Sequence, residues 1–194
     1  INTEYNTISD SLAYSRSVVC TDERILALRQ SPYFIFALHR QENLAQKALL
    51  QALMDRVLEQ AQEMRCVTIL HKQTEQALRS MGFLDRLLQH PNVTIFPRVE
   101  YFDYMKLLEG AQFVMTDGGS NQEELSCMGK PCLVLRKRTE RQDGIGQNVI
   151  LYGGDIDRIA SFVAHYRQYE RPAISPAFSP AERIADRLER FVKE

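Results

Sequence analysis

Short apolar runs alternate along the chain with longer stretches in which apolar residues recur at helical spacing. Six of these runs are rich in β-branched residues and apolar on both faces, which predicts strands buried on both sides of a sheet. The predicted strands are Tyr33–Leu38, Cys66–Leu70, Asn92–Phe96, Phe113–Thr116, Cys132–Leu135 and Asn148–Tyr152. The predicted helices are Asn43–Glu63, Thr74–Ser80, Phe83–Gln89, Tyr101–Glu109, Asn121–Met128, Asp157–Tyr169 and Ala181–Val192.

The regular alternation of strands and helices predicts one parallel sheet covered by helices on both faces, an α/β doubly wound fold. Glycines mark three predicted helix boundaries: Gly82 separates two short helices, and Gly110 and Gly129 end the helices before them. Residues 1–22 are polar with little periodicity. Residues 171–180 contain three prolines and are predicted to be extended.

The composition is that of an ordinary globular protein: 194 residues, 44% hydrophobic and 25% charged, with a net charge of −1. This charge gives no support to general nucleic-acid binding, which needs a basic surface. No apolar run approaches the roughly 20 residues of a membrane span, and no signal peptide is apparent. The four cysteines form no C-x-x-C pair, so buried thiols in the reducing cytoplasm are predicted, without disulfides, metal or cofactor.

One turn carries the clearest functional signal. Asp117-Gly118-Gly119-Ser120 follows a predicted buried strand and leads directly into a predicted helix. The bare backbone N–H groups at such a helix start bind anions, most commonly phosphate. The alternative is an ordinary turn in which Ser120 or Asn121 caps the helix. There is no G-x-G-x-x-G and no Walker lysine, so neither a dinucleotide site nor an ATPase site is predicted.

Two more polar clusters follow predicted strands, at His39-Arg40-Gln41-Glu42-Asn43 and at Thr139-Glu140-Arg141. Ligands of doubly wound sheets bind beyond the carboxyl ends of the strands, so the three clusters predict one shared site. His39 would contact a phosphate or a sugar hydroxyl, and Arg141 would bind phosphate oxygens with its guanidinium fork. A structural or surface histidine and a solvated charged loop are the alternatives.

Other candidates have weaker signals. Glu124 lies in the first turn of a predicted helix, where an acidic residue by itself indicates no more than a favourable interaction with the helix dipole. Tyr101, Phe102 and Tyr104 could flank a nucleobase, but such aromatic residues are more often core, and Phe102 is predicted to be core. His71, at the end of the second predicted strand, is a further weak candidate.

Taken together, these clusters resemble the C-terminal half of the UDP-N-acetylglucosamine 2-epimerase family. The family pattern His-Arg-x-Glu-Asn is found at residues 39–43, and Thr-Asp-Ser-Gly-Gly-x-Gln-Glu-Glu is matched at 116–124 with the order Gly-Gly-Ser in place of Ser-Gly-Gly. Gly-Lys-Pro stands at 129–131 and Arg-x-x-Thr-Glu-Arg at 136–141. Tyr5–Leu12 is similar to the segment at the family's interdomain crossover.

This resemblance implies one half of a glycosyltransferase-B-type fold with two Rossmann-like domains and the sugar nucleotide between them. Residues 1–22 would be an interdomain crossover segment, 23–170 the Rossmann-like UDP-binding domain, and 171–194 an extended segment with a C-terminal crossover helix. The family interconverts UDP-GlcNAc and UDP-ManNAc by eliminating UDP and adding it back. The acid and base carboxylates belong to the N-terminal half, so the chain alone is expected to bind UDP without turnover.

The resemblance also implies residue roles. Gly118, Gly119 and Ser120 would bind the diphosphate with Arg141 beside it, Glu124 would bind the ribose, Tyr104 would lie by the uracil, and His39 would contact the leaving group as the catalytic candidate. The expected partners are a UDP-sugar, the N-terminal domain and, in the full-length form, a second copy of the protein.

The departures from the family pattern are local. The permuted Gly-Gly-Ser leaves open which residue supplies a hydroxyl, and His71-Lys72-Gln73 replaces the family's His-Pro-Asn. The donor-binding domain of a glycosyltransferase and a non-enzymatic nucleotide-sugar-binding module are the alternatives to an epimerase.

Overall fold

A six-stranded parallel sheet organises the protein in the computed structural model, which describes residues 2–193. The strands are Tyr33–Ala37 (β1), Arg65–Ile69 (β2), Val93–Phe96 (β3), Val114–Thr116 (β4), Cys132–Val134 (β5) and Val149–Leu151 (β6). Their order across the sheet is β3-β2-β1-β4-β5-β6, and every neighbouring pair is parallel. The predicted doubly wound α/β fold is therefore confirmed.

Helices cover both faces of this sheet. They are Ile8–Ser17 (α1), Glu23–Leu28 (α2), Gln41–Leu44 (α3), Lys47–Glu63 (α4), Lys72–Ser80 (α5), Phe83–Gln89 (α6), Tyr101–Gly110 (α7), Gly119–Met128 (α8), Asp157–His165 (α9) and Pro180–Lys193 (α10), with a 3-10 helix at Tyr166–Tyr169. Alternate residues of β1 serve the two cores: Phe34 and Phe36 pack with α4, α6 and α9, while Tyr33 and Ile35 pack with α1, α2, α7 and α8. This explains why the strand is apolar on both faces.

Some predicted helix bounds were wrong. The region 43–63 is interrupted at Gln46, whose dihedral angles (φ −89°, ψ 86°) are not helical, so the single turn α3 precedes α4. The segment 157–169 ends as a 3-10 helix. Residues 8–17 form a helix despite their polarity. Their buried serines are satisfied locally: Ser9 donates its hydroxyl to the carbonyl of Asn6, just before the helix, and Ser15 donates to that of Leu12 (2.8 Å each).

Glycine acts in two different ways at the predicted helix ends. Gly129 has a φ of 69° and ends α8, as predicted. Gly110, however, is the last residue of α7 rather than a stop signal after it. A Cβ at Gly110 would overlap the hydroxyl of Tyr33, so close packing against β1 requires glycine there.

The four cysteines, Cys20, Cys66, Cys127 and Cys132, are free and buried, as the sequence predicted. Within residues 2–193 no helix has the length and apolar character needed to cross a membrane. In the same part of the chain, no group of three or more histidine, cysteine or acidic side chains is arranged to hold a metal ion.

Candidate functional site

A cavity of about 560 Å³ opens at the carboxyl edge of the sheet. Its centre is the junction of β1 and β4, from which later strands are added on opposite sides. Doubly wound folds bind ligands at such a switch point. The cavity is lined by most of the predicted site residues, namely His39, Tyr104, Gly118, Gly119, Ser120 and Glu124, together with the weaker candidate His71.

Asp117, directly after β4, fixes the loop that follows β1. Its fully buried carboxylate accepts hydrogen bonds from the backbone N–H groups of His39 (3.0 Å) and Arg40 (2.9 Å) and from Asn43 Nδ2 (3.0 Å). Asn43 Nδ2 also donates to the carbonyl of Leu135 after β5 (2.8 Å). Asp117 and Asn43 together thus connect the ends of three strands, β1, β4 and β5.

His39 is held in place by the same carboxylate. Its Nδ1 lies 3.0 Å from Asp117 Oδ1, and its side chain is 43% exposed. This hydrogen bond raises the pKa of His39, against the opposing effects of burial and of the Arg40 charge. Burial by itself would raise the pKa of Asp117, but the hydrogen bonds from His39, Arg40 and Asn43 outweigh it and hold that pKa below its usual value. The pair therefore favours an imidazolium ion beside a carboxylate.

His71 continues the cavity wall beyond His39, with 5.6 Å between the two ring centroids. Burial lowers the pKa of His71, and the charges of His39 and Arg98 lower it further. Of the two histidines, His39 is therefore the one that favours the charged form.

The start of α8 faces the cavity without a side-chain cap. Gly118 is the N-cap residue, in an extended conformation (φ −76°, ψ 124°). The helix begins at Gly119, earlier than the predicted start at Asn121. Neither Ser120 nor Asn121 caps it, so the alternative of an ordinary capped turn was wrong; Ser120 is exposed within the first turn. First-turn N–H groups have no partner within their own helix, and the helix dipole makes this end positive.

Arg141 lies against Gly119 but outside the cavity wall. A Cβ at Gly119 would come within 2.8 Å of the guanidinium carbon. The Arg141 guanidinium pairs with Glu123 (Nε to Oε2, 3.0 Å) and with Glu140. Its loop is held by the fully buried Gln122, whose Nε2 donates to the carbonyls of Arg141 (3.2 Å) and Asp143 (3.1 Å). The structure therefore brings Arg141 to the turn, but with two carboxylates already bound.

Glu124 is a buried cavity residue rather than an exposed first-turn acid. Glu124 is only 3% exposed, and this burial raises the pKa of its carboxyl group to about 7. Hydrogen bonds from Asn121 and Tyr101 lower that pKa in part, whereas the negative charge of Glu123 adds to the rise. Tyr104 reaches the same corner: its hydroxyl donates to Asn121 Oδ1 (3.3 Å).

Phe102 was predicted to be core and is not. It is only partly buried and packs edge-on against Tyr14 of α1 and Tyr101, each at 5.4 Å between ring centroids. Tyr14 comes from α1, a helix that the sequence pattern did not reveal. Tyr101 and Tyr104, one turn apart on α7, are the aromatic residues that line the cavity.

Two residues of the site were missed by sequence reasoning. The position of Asp117 could have indicated its role, since an aspartate between a buried strand and two glycines is well placed to accept hydrogen bonds from backbone N–H groups of the adjacent loops. Asn121 carried none, because its partners, Thr116 and Glu124, are brought together only by the turn itself.

Comparison with known proteins identifies the family of this chain. The family model described as UDP-N-acetylglucosamine 2-epimerase matches residues 5–180. The chain belongs to this family. A UDP-N-acetylglucosamine 2-epimerase of Methanocaldococcus jannaschii is 27% identical over 155 residues, which are 75% of this chain and 42% of the relative. The chain thus spans less than half the length of that family member.

Solved structures of the family have the same fold. The M. jannaschii UDP-GlcNAc 2-epimerase in complex with UDP-GlcNAc and UDP superposes with a TM-score of 0.78 at 23% identity, covering 96% of this chain and 54% of that one. The Neisseria meningitidis UDP-GlcNAc 2-epimerase bound to UDP-GlcNAc gives a TM-score of 0.76 at 23% identity, with the same coverage. This chain has the fold of about half of each of these proteins.

Proposed function

We propose that this chain is the UDP-binding half of a UDP-N-acetylglucosamine 2-epimerase, and that the whole protein interconverts UDP-GlcNAc and UDP-ManNAc. The observation that carries the proposal is the uncapped start of α8, which opens into the switch-point cavity between His39 and Glu124. Family membership and the ligands named for the solved relatives support it.

In this proposal, the diphosphate binds at the start of α8. Gly118 and Gly119 have no side chains to block the approach of phosphate oxygens, and the exposed Ser120 can add its hydroxyl to the first-turn N–H groups. His39 supplies a positive charge on the other side of the turn. Arg141 is also near the turn, but its guanidinium is paired with Glu123 and Glu140. It would bind the phosphate by giving up one of these two carboxylates.

In the same proposal, the nucleoside binds on the α7 side of the cavity. The carboxylate of Glu124 would accept hydrogen bonds from the ribose hydroxyls, and Tyr104 would lie near the uracil ring. A volume of about 560 Å³ is within the usual range for a small-molecule site. Diphosphate and nucleoside subsites therefore fit in one cavity.

The catalytic contribution of this half is to stabilise the leaving group. When the bond from the sugar to UDP breaks, negative charge develops on the diphosphate, and preorganised N–H donors and an imidazolium ion stabilise it. His39, held by Asp117, can also donate a proton to the departing oxygen. Removal and return of the proton at C2 of the sugar need carboxylates that the other half would supply.

The proposed division of the chain is a crossover segment at 1–22, the UDP-binding domain at 23–170 and a C-terminal crossover at 171–194. The two end segments contact each other, since the Ala181 N–H donates to Asp10 Oδ2 (2.9 Å). On α10, Leu188, Phe191 and Val192 are exposed, as expected for a helix that packs on the N-terminal domain. The cytoplasmic location and a homodimer of the whole protein remain predictions.

Calorimetric titration of the chain with UDP and UMP tests the proposal. UDP is expected to bind at least about tenfold more tightly than UMP, because the second phosphate reaches the α8 N-terminus. Arg141→Ala should weaken UDP binding, whereas Arg138→Ala removes an equal charge from an exposed position and should not. Equal affinities for UDP and UMP would contradict the diphosphate site, and equal effects of the two substitutions would remove Arg141 from it.

The epimerase reaction itself provides a second test. The chain alone is expected to show no conversion of UDP-GlcNAc to UDP-ManNAc by nuclear magnetic resonance, although it binds UDP. Measurable turnover would show that the acid and base groups are already present in residues 1–194.

A further inference from the structure

Asn121 joins the turn at the start of α8 to the buried carboxyl group of Glu124. The Thr116 hydroxyl accepts a hydrogen bond from the Gly118 N–H (3.0 Å) and donates to Asn121 Oδ1 (3.0 Å). Asn121 Nδ2 then donates to Glu124 Oε2 (3.0 Å). The Tyr104 hydroxyl is a second donor to Asn121 Oδ1 (3.3 Å). With both donors on Oδ1, the amide orientation is fixed and Nδ2 must point to Glu124.

The order Gly-Gly-Ser provides the space for this arrangement. A Cβ at Gly118 would lie 2.7 Å from Asn121 Oδ1, so any side chain there would displace the amide. The backbone of Gly118 is in an ordinary extended conformation that any residue adopts, so glycine is needed for space and not for its dihedral angles. The serine at 120 is exposed and leaves the Asn121 side chain undisturbed.

Glu124 depends on neutral hydrogen-bond donors. The groups that face it are Tyr101 and Tyr104 from α7, and Asn121, Glu123 and the Cys127 thiol on its own helix. Among residues 2–193 it has no ion-pair partner with a basic side chain. The negative charge of Glu123 opposes ionisation of Glu124, whereas the Asn121 amide stabilises the ionised form.

We propose that Asn121 is a positioning residue that orients the Glu124 carboxylate and keeps it a hydrogen-bond acceptor for the vicinal ribose hydroxyls of UDP. The proposal rests on the UDP-binding function proposed above and deepens it. Asn121 acts through Glu124: its Oδ1 accepts hydrogen bonds from Thr116 and Tyr104, and its Nδ2 donates to the Glu124 carboxylate.

The test is UDP affinity against pH for the unaltered chain, Asn121→Leu and Glu124→Gln. If binding needs ionised Glu124, the contribution of Glu124 to affinity, measured at each pH as the ratio between the unaltered chain and Glu124→Gln, rises as pH increases through the pKa of that group. Leucine has about the size of asparagine but no donor, so Asn121→Leu should weaken binding about tenfold at pH 7 and move the midpoint upward by about one pH unit. Glu124→Gln should lose this pH dependence. An unchanged midpoint in Asn121→Leu would overturn the proposal.

Two further measurements separate positioning from loss of structure and from failure of the UDP site. Asn148, whose Nδ2 donates to the carbonyls of Leu125 (2.9 Å) and Lys130 (2.8 Å), holds the other end of α8. Asn148→Ala should lower thermal stability without moving the pH midpoint.

In the ligand-free chain, the carboxyl carbon of Glu124 should titrate at higher pH in Asn121→Leu than in the unaltered chain by nuclear magnetic resonance. An upward shift without any UDP binding would refute the proposed function alone, and no shift would refute the role of Asn121.

Discussion

Two buried carboxyl groups at the same edge of the sheet have opposite properties. Asp117 accepts hydrogen bonds from three donor groups besides the His39 ring, and its pKa is lowered. Burial raises the pKa of Glu124 to about 7, because hydrogen bonds from the neutral donors Asn121 and Tyr101 offset only part of the loss of solvation and the charge of Glu123 adds to the rise. The difference teaches that burial alone does not set the charge of a carboxyl group. The number and charge of its hydrogen-bond donors decide whether it is a permanent anion or a titratable group.

Asp117→Ala should have the largest effect. The substitution leaves the N–H groups of His39 and Arg40 and the Asn43 amide without their acceptor, and we expect it to cost about 3–5 kcal/mol of unfolding free energy. Urea denaturation at pH 7 measures this. Asp55→Ala, which removes an exposed carboxylate paired with Arg86, should cost below about 1 kcal/mol. Similar costs for the two variants would contradict an anchoring role for Asp117.

Glu124→Gln should stabilise the protein, with an effect that grows with pH. The folded pKa of Glu124 is about 7, above the unfolded value of about 4.3, so its stability contribution is fully present below the unfolded pKa and lost as pH rises through the folded pKa. We therefore expect Glu124→Gln to match the unaltered chain near pH 4 and to exceed it by about 3 kcal/mol above pH 8. Denaturation at a series of pH values checks this, and a constant difference would contradict the raised pKa.

The smallest of these effects concerns His39. Its raised pKa implies an imidazolium that stabilises bound diphosphate at low pH, so the contribution of His39 to UDP binding should weaken as pH rises through that pKa. His39→Gln should bind UDP about tenfold more weakly than the unaltered chain at pH 6, and the difference between the two should shrink as pH rises and the imidazolium loses its proton. The matched control is His165→Gln, since His165 is exposed on α9. If the affinity difference between His39→Gln and the unaltered chain does not change with pH, the positive charge that stabilises the diphosphate is not on His39.

Sequence reasoning reached the fold and the location of the site for clear physical reasons. Strands buried on both faces, such as β1, leave continuous apolar runs, and polar residues after them must meet at one edge of a parallel sheet. It failed where a neighbour in space overrode a local preference. Gly110 is glycine because of Tyr33, and Phe102 is drawn towards Tyr14 of a helix that local polarity concealed.

The sequence by itself determined the order of the strands and of the helices from α4 onwards, the glycine turn before α8 and the set of polar groups at the strand ends. Only the tertiary structure decided the chemical state of those groups. Asp117 and Glu124 lie seven positions apart and carry the same functional group. Their protonation follows from burial and from the donors that the fold brings to them, which are the β1 loop for Asp117, and α7 together with Asn121 for Glu124. Such contacts depend on packing, which no local pattern records.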